Sequence, residues 1–94
     1  MKVVYQTCCG IDVHKSFLVA TIIKTSSGVQ PSYLKKRFSI FNNSILHLKE
    51  WLLQNQCYDV CMESTGKYWV PVFNLLEDDI NVTIANPKWI GDLF

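Results

Sequence analysis

Val3-Val4-Tyr5-Gln6-Thr7-Cys8-Cys9-Gly10-Ile11-Asp12-Val13 is the stretch whose reading decides the fold. β-branched residues and small cysteines dominate it, so it reads as a buried strand from Val3 to Val13. Near its end stands one carboxylate, Asp12, between Ile11 and Val13. His14-Lys15-Ser16 is a polar break, and Phe17 to Ile23 is a second run of strand formers. Thr25-Ser26-Ser27-Gly28 closes that run as a turn. Val29 to Ser32, with Pro31, connects to a third strand from Leu34 to Ile40. There Leu34, Phe38 and Ile40 share one face, interrupted by Lys36, while Lys35, Arg37 and Ser39 take the other. Such a half-solvated strand belongs at a sheet edge, where lysines discourage pairing with other chains.

Asn42-Asn43-Ser44 offers N-cap side chains for a helix from about Ile45 to Asn55. Ile45, Leu48, Leu52 and Leu53 form its apolar face, with His47, Lys49 and Glu50 away from it. Val60-Cys61-Met62 is then a short buried strand ending at Glu63. Ser64-Thr65-Gly66 turns into a second helix, about Tyr68 to Glu77, with Pro71 in its first turn, where a missing N–H costs nothing. Glu77-Asp78-Asp79 opposes the negative end of the helix dipole and stops it. Ile80, Val82 and Ile84 alternate in a last strand, and Pro87 ends it. The order β-β-β-α-β-α-β is a meander followed by right-handed crossovers, an α/β domain with helices packed on a mixed sheet. The RNase H-like fold is the natural candidate. Its first and fourth strands run parallel at the sheet centre, with ligands gathering near their carboxyl ends.

The chain has 94 residues, enough for one domain spanning 1–94 with one modest core. Hydrophobic residues make up 49% and charged residues 18%, which excludes a disordered segment. The formal net charge of +1 excludes a binder that relies on bulk positive charge. Lys35-Lys36-Arg37 is the one basic run. No apolar stretch reaches the length of a membrane span, and Gln6 and Asp12 interrupt any signal-peptide core, so a cytoplasmic protein is expected. Cys8 and Cys9 point to opposite faces of a strand, which disfavours a zinc site. Buried free thiols on strands are the better expectation for all four cysteines.

Asp12 and Glu63 carry the chemistry if the first and fourth strands pair. Two carboxylates held that close call for a cation, and an oxygen-only donor set suits Mg²⁺ or Mn²⁺. Such a site serves in-line displacement at phosphate. The plainer alternative is that Asp12 starts a hairpin turn and Glu63 caps the next helix. His14 shares the face of Asp12, two residues away, and can meet DNA or a metal-bound water, or simply sit in the turn. Thr65 and Lys67 can contact phosphate at a helix N-terminus, or only cap it. Tyr68 and Trp69 can stack on bases, though packing beneath the second helix is the default. Lys35 to Arg37 can steer a nucleic-acid backbone, against the default of solvated edge charge.

Gly10-Ile11-Asp12-Val13-His14-Lys15 and Met62-Glu63-Ser64-Thr65-Gly66-Lys67-Tyr68-Trp69, followed by Asn86-Pro87, resemble the DEDD (RuvC-like) transposases of bacterial insertion sequences. Insertion-sequence family one hundred and ten, with its Piv-type DNA invertases, is the group they resemble, over nearly the whole chain. The resemblance implies an RNase H-like N-terminal domain with Asp12 and Glu63 as the first two catalytic, metal-binding acids. It also implies Mg²⁺ (or Mn²⁺), metal-dependent DNA strand cleavage and exchange, homo-oligomers and a structured guide RNA. Read from the residues themselves, the candidate nucleic-acid contacts are His14, Lys15, Thr65 and Lys67. The family pattern places two further aspartates in a T-D-x-x-D-A segment after Asn-Pro, and this sequence has none. Lys88 to Phe94 looks like the stretch that follows those aspartates, so Asp92 is not expected to be catalytic. The expectation is a domain without its last catalytic segment and without the family's serine-bearing C-terminal domain, inactive in cleavage alone. Two rivals are a non-catalytic nucleic-acid-binding or assembly remnant and an actin-like kinase or ATPase fragment. The latter expects a glycine-rich phosphate turn where His14-Lys15 stands.

Overall fold

The computed structural model describes residues 7–26 and 29–85. Its elements are β1 (Thr7–Val13), β2 (Phe17–Ser26), β3 (Val29–Ser39), α1 (Asn42–Gln54), β4 (Asp59–Ser64), α2 (Trp69–Leu76) and β5 (Asn81–Ile84). The expected order is therefore present. Val3 to Gln6, the Ser27-Gly28 half of the first turn, and Asn86 to Phe94 lie outside the described residues.

One five-stranded sheet runs β3-β2-β1-β4-β5, with β1 antiparallel to β2 and parallel to β4. β2 and β3 pair antiparallel, and β5 is parallel to β4. The basic strand β3 is at the edge, as its alternation predicts. It starts earlier than expected, because Val29 to Ser32 is strand rather than connector and Ser26 pairs with Val29. Pro31 is tolerated there since an edge strand has one side on which an N–H is not needed.

Both helices cover one face of the sheet. Its inward residues alternate along each strand: Cys9, Ile11 and Val13 on β1, Leu18, Ala20 and Ile22 on β2, Val60 and Met62 on β4. They meet Ile45, Leu48 and Leu52 of α1 and Val72 and Leu76 of α2 in one core. Leu53, expected in this stripe, is 37% exposed, because it lies about 100° around the helix from the stripe's centre. No helix among the described residues is long and apolar enough to cross a membrane.

The helix ends depart from the sequence reading. α1 starts at Asn42, with Phe41 as its N-cap and no side-chain capping bond. Ser44, a candidate cap, instead accepts a 2.6 Å bond from Ser39 Oγ that ties β3 to the helix. At the other end Gln56 adopts φ 56°. Its N–H meets Leu53 O at 3.0 Å, and the Cys57 N–H meets Leu52 O at 2.9 Å. That is a Schellman closure with glutamine in the left-handed position. It turns the chain into β4 and places Cys57 in the core beside Leu52. α2 is one residue shorter at each end than expected, with Pro71 in its first turn. Lys49 pairs with Asp79 at 2.7 Å, joining α1 to the loop before β5.

All four cysteines are free thiols, but only Cys9 and Cys57 are buried. Cys61 is exposed, contrary to the expectation of a buried strand thiol, because its side chain falls on the face that the helices leave bare.

Candidate functional site

Asp12 and Glu63 stand directly opposite each other in the parallel β1–β4 register. Neighbouring strands lie about 4.8 Å apart, and directly paired residues point to the same face, so both carboxylates leave the sheet side by side. They project from the bare face, since Ile11, Val13, Met62 and Ser64 on either side of them point into the core. Two exposed carboxylates side by side supply up to four oxygens. A hard divalent cation that keeps several waters fits this donor set, whereas soft metals seeking sulfur or nitrogen do not. No cluster of three or more histidine, cysteine or acidic side chains suited to a metal occurs among the described residues.

Asp12 is held by a neighbour. β1 and β2 are joined through the two-residue turn Lys15-Ser16, closed by the His14 N–H donating to Phe17 O at 2.8 Å. The turn sets His14 beside Asp12, with Nε2 3.1 Å from Oδ2. The imidazole also stacks on Phe17, ring centroids 4.6 Å apart and planes 24° apart. Over that ring lies Arg37, its guanidinium carbon 3.9 Å from the centroid. A continuous ladder therefore runs Arg37–Phe17–His14–Asp12 from the sheet edge to its centre. Nothing in a linear reading links Arg37 to Asp12; the only signal is that Arg37 alternates onto a polar face.

The acids line a shallow groove of about 440 Å³ on the bare face, shared with Gly10, Thr21, Lys35 and Cys61. A Cβ added at Gly10 would meet nothing within 4 Å, so the groove is open above this residue, next to Asp12 in β1. Lys35 enters this groove while Lys36 turns the other way and lies 5.3 Å from the centre of the Phe38 ring. The other expected contacts are dispersed. Lys15 is exposed at the hairpin tip, and Thr65 and Lys67 are exposed in the turn after β4, outside the groove lining. The Thr65 N–H bonds Val13 O at 3.3 Å, which fixes the turn against the end of β1. Gly66 has φ 73°, the left-handed conformation that this turn requires. Trp69 packs against the core and meets Phe73 edge-on, ring centroids 5.8 Å apart, whereas Tyr68 is exposed.

At the far end of the bare face a second groove is lined by Cys8, Cys61, Asp59, Asn81 and Thr83, among others. Burial pushes the Cys8 thiol above its ordinary range, with nearby Cys57 adding to the effect. Cys9, on the opposite face, is pushed up further by its hydrogen bond with Cys57 and by burial.

The family model for DEDD transposases of the IS110 type, described as "Transposase", matches residues 9–92. No curated protein matches the chain. Among solved structures, Thermus thermophilus RuvC is similar at 11% identity and TM-score 0.60, over 92% of this chain and 65% of that one. Fowlpox virus resolvase, solved with Holliday junction DNA, is similar at 13% identity and TM-score 0.58, over 87% of this chain and 61% of that one. An Aquifex aeolicus Ppx/GppA enzyme is similar at 12% identity and TM-score 0.56, over 89% of this chain and 37% of that one. The chain thus spans less than two thirds of each. RuvC and the resolvase have the RNase H-like fold, and this chain shares it. A fold common to a resolvase and a Ppx/GppA enzyme does not select an activity.

Proposed function

The chain belongs to the DEDD transposase family of the IS110 type, and on that premise we propose that it is the carboxylate-bearing front part of a metal-dependent DNA-cutting and strand-exchanging domain. Residues 1–94 form one unit of that domain, with Asp12 and Glu63 as its first two metal-binding acids. The observation that carries this reading is the direct Asp12–Glu63 pairing on parallel central strands. A helix-capping role does not account for Glu63, because α2 has no side-chain cap.

Mg²⁺ or Mn²⁺ bound there would supply charge neutralisation for the attacking and leaving oxygens of a DNA phosphodiester. The protein's own part is orientation. His14 engages Asp12 Oδ2, and the stacked Phe17 ring limits the swing of the imidazole. The central strands hold both acids on rigid backbone, which precise positioning demands. Lys15, Thr65 and Lys67 sit at the same ends of β1 and β4 as the acids and meet the DNA backbone around them. DNA is the substrate; a structured guide RNA, homo-oligomers and a cytoplasmic setting complete the reading and rest on the family resemblance. An actin-like phosphate site is disfavoured, because the β1–β2 connection is the two-residue turn Lys15-Ser16 with no glycine-rich loop.

Mn²⁺ titration of the full chain, followed by electron paramagnetic resonance, tests this. Asp12→Asn and Glu63→Gln should each weaken binding by at least about tenfold, and His14→Ala by less. Equal Mn²⁺ affinity in wild type and the Asp12→Asn/Glu63→Gln double variant would sink the carboxylate site.

A further inference from the structure

The register of the whole sheet places basic residues in line with the acids. Glu63 pairs with Asp12, Asp12 with Val19, and Val19 with Arg37. One row on the bare face therefore reads Glu63–Asp12–Val19–Arg37. The next row reads Cys61–Gly10–Thr21–Lys35. Arg37 and Lys35 stand about 10 Å from the β1 carboxylate row, two strand spacings away, and about 7 Å from each other along β3.

We infer that Lys35 and Arg37 form a phosphate track on the bare face, which holds the DNA strand on one side of the phosphodiester presented to Asp12 and Glu63. This rests on the metal-dependent reading above and adds the path of the substrate. Three observations carry it. The two residues stand two positions apart on β3, a backbone spacing close to that of neighbouring phosphates on a strand, and share the face of the acids. The floor between them and β4 is lowered by Gly10, so a backbone can approach closely. Arg37 is pre-ordered over Phe17, so its planar fork loses little freedom on binding phosphate. Charge is divided as a strand crossing the sheet requires: cations at the edge anchor it, and acids at the centre would repel it without a cation. DNA rather than RNA is assigned because the acids that the track serves act on DNA in the reading above.

The basic run tests itself, since Lys36 shares its sequence neighbourhood but points to the other face. Binding of the full chain to a fluorescent DNA duplex, measured by anisotropy at fixed Mn²⁺ and varied NaCl, reads the number of phosphate contacts. Lys35→Ala and Arg37→Ala should each lower the salt slope by about 0.9, while Lys36→Ala leaves it unchanged. Arg37→Lys should restore most of the slope. All three sites are exposed strand positions, and circular dichroism confirms that the variants fold. Equal effects of the three alanine variants would overturn the track and leave a diffuse basic patch. Tighter binding of an RNA hairpin than of duplex DNA through the same two residues would overturn the assignment to DNA. Mn²⁺ affinity should stay at the wild-type level in Lys35→Ala, which lies outside the ladder that orders Asp12. If Mn²⁺ binds normally and the slopes do not move, the track fails alone. If wild type does not bind Mn²⁺, the metal-site reading fails instead.

Discussion

The two faces of the sheet are built from the same strands and differ in every respect that matters. On one, Ile11, Ala20, Ile22 and Met62 are buried under two helices. On the other, one residue along in each strand, stand Gly10, Asp12, Thr21, Cys61 and Glu63, half-buried or exposed. Because strand side chains alternate, stability and chemistry can be assigned to alternate positions with little interference. The carboxylates can then be costly neighbours without disturbing the core that fixes their backbone.

That division can be broken most sharply with thiols, since Cys9 and Cys61 lie on opposite faces of adjacent central strands. A disulfide reagent should modify Cys61 at once and Cys8 more slowly, because burial raises the Cys8 thiol. Cys9 and Cys57 should react only through unfolding, slower by roughly a thousandfold or more for a domain of ordinary stability. Comparable rates for Cys9 and Cys61, followed by mass spectrometry, would abolish the distinction. Core truncation comes next: Leu48→Ala or Leu52→Ala should cost about 2–5 kcal/mol in urea unfolding. On the bare face Val19→Ala should cost under about 1 kcal/mol, and a loss equal to that at Leu52 would mean that both faces are packed. The smallest effect sharpens the picture of the covered face. Gln56→Gly should raise stability by about 0.5–1 kcal/mol, since it relieves a left-handed backbone without touching the core. A fall in melting temperature would show that the Gln56 side chain contributes more than its backbone strain removes.

Much of this was legible in the residues. Alternation and period marked all seven elements, and strand ends marked Asp12 and Glu63. The split of the basic run into Lys35 and Arg37 against Lys36 followed from period two. What was missed depends on partners distant in sequence. The start of β3 was hidden by Pro31, which an edge strand tolerates and an interior strand would not. Ser44 looked like a cap, but its hydroxyl is taken by Ser39 across the strand–helix corner. Cys61 looked buried because apolar runs do not reveal which face is covered. The ladder from Arg37 to Asp12 arises from the β1–β2–β3 register, which no local pattern states. Thr65 and Lys67 stand outside the groove lining, in the turn that follows β4.

The parallel pairing of β1 with β4 also has a kinetic side. β1, β2 and β3 can zip together as successive hairpins, each closing a short loop. Asp12 meets Glu63 only after the chain has passed through two strands and α1 and β4 has docked beside β1, a non-local closure of the slow kind. The acid pair therefore exists only in the fully assembled sheet. A cation that binds it should act as a ligand of the native state alone, so that the melting temperature rises with Mn²⁺ concentration by mass action. The amides of β1, flanked by strands on both sides, should then be among the last to exchange with deuterium, and their exchange should slow further as the cation is added.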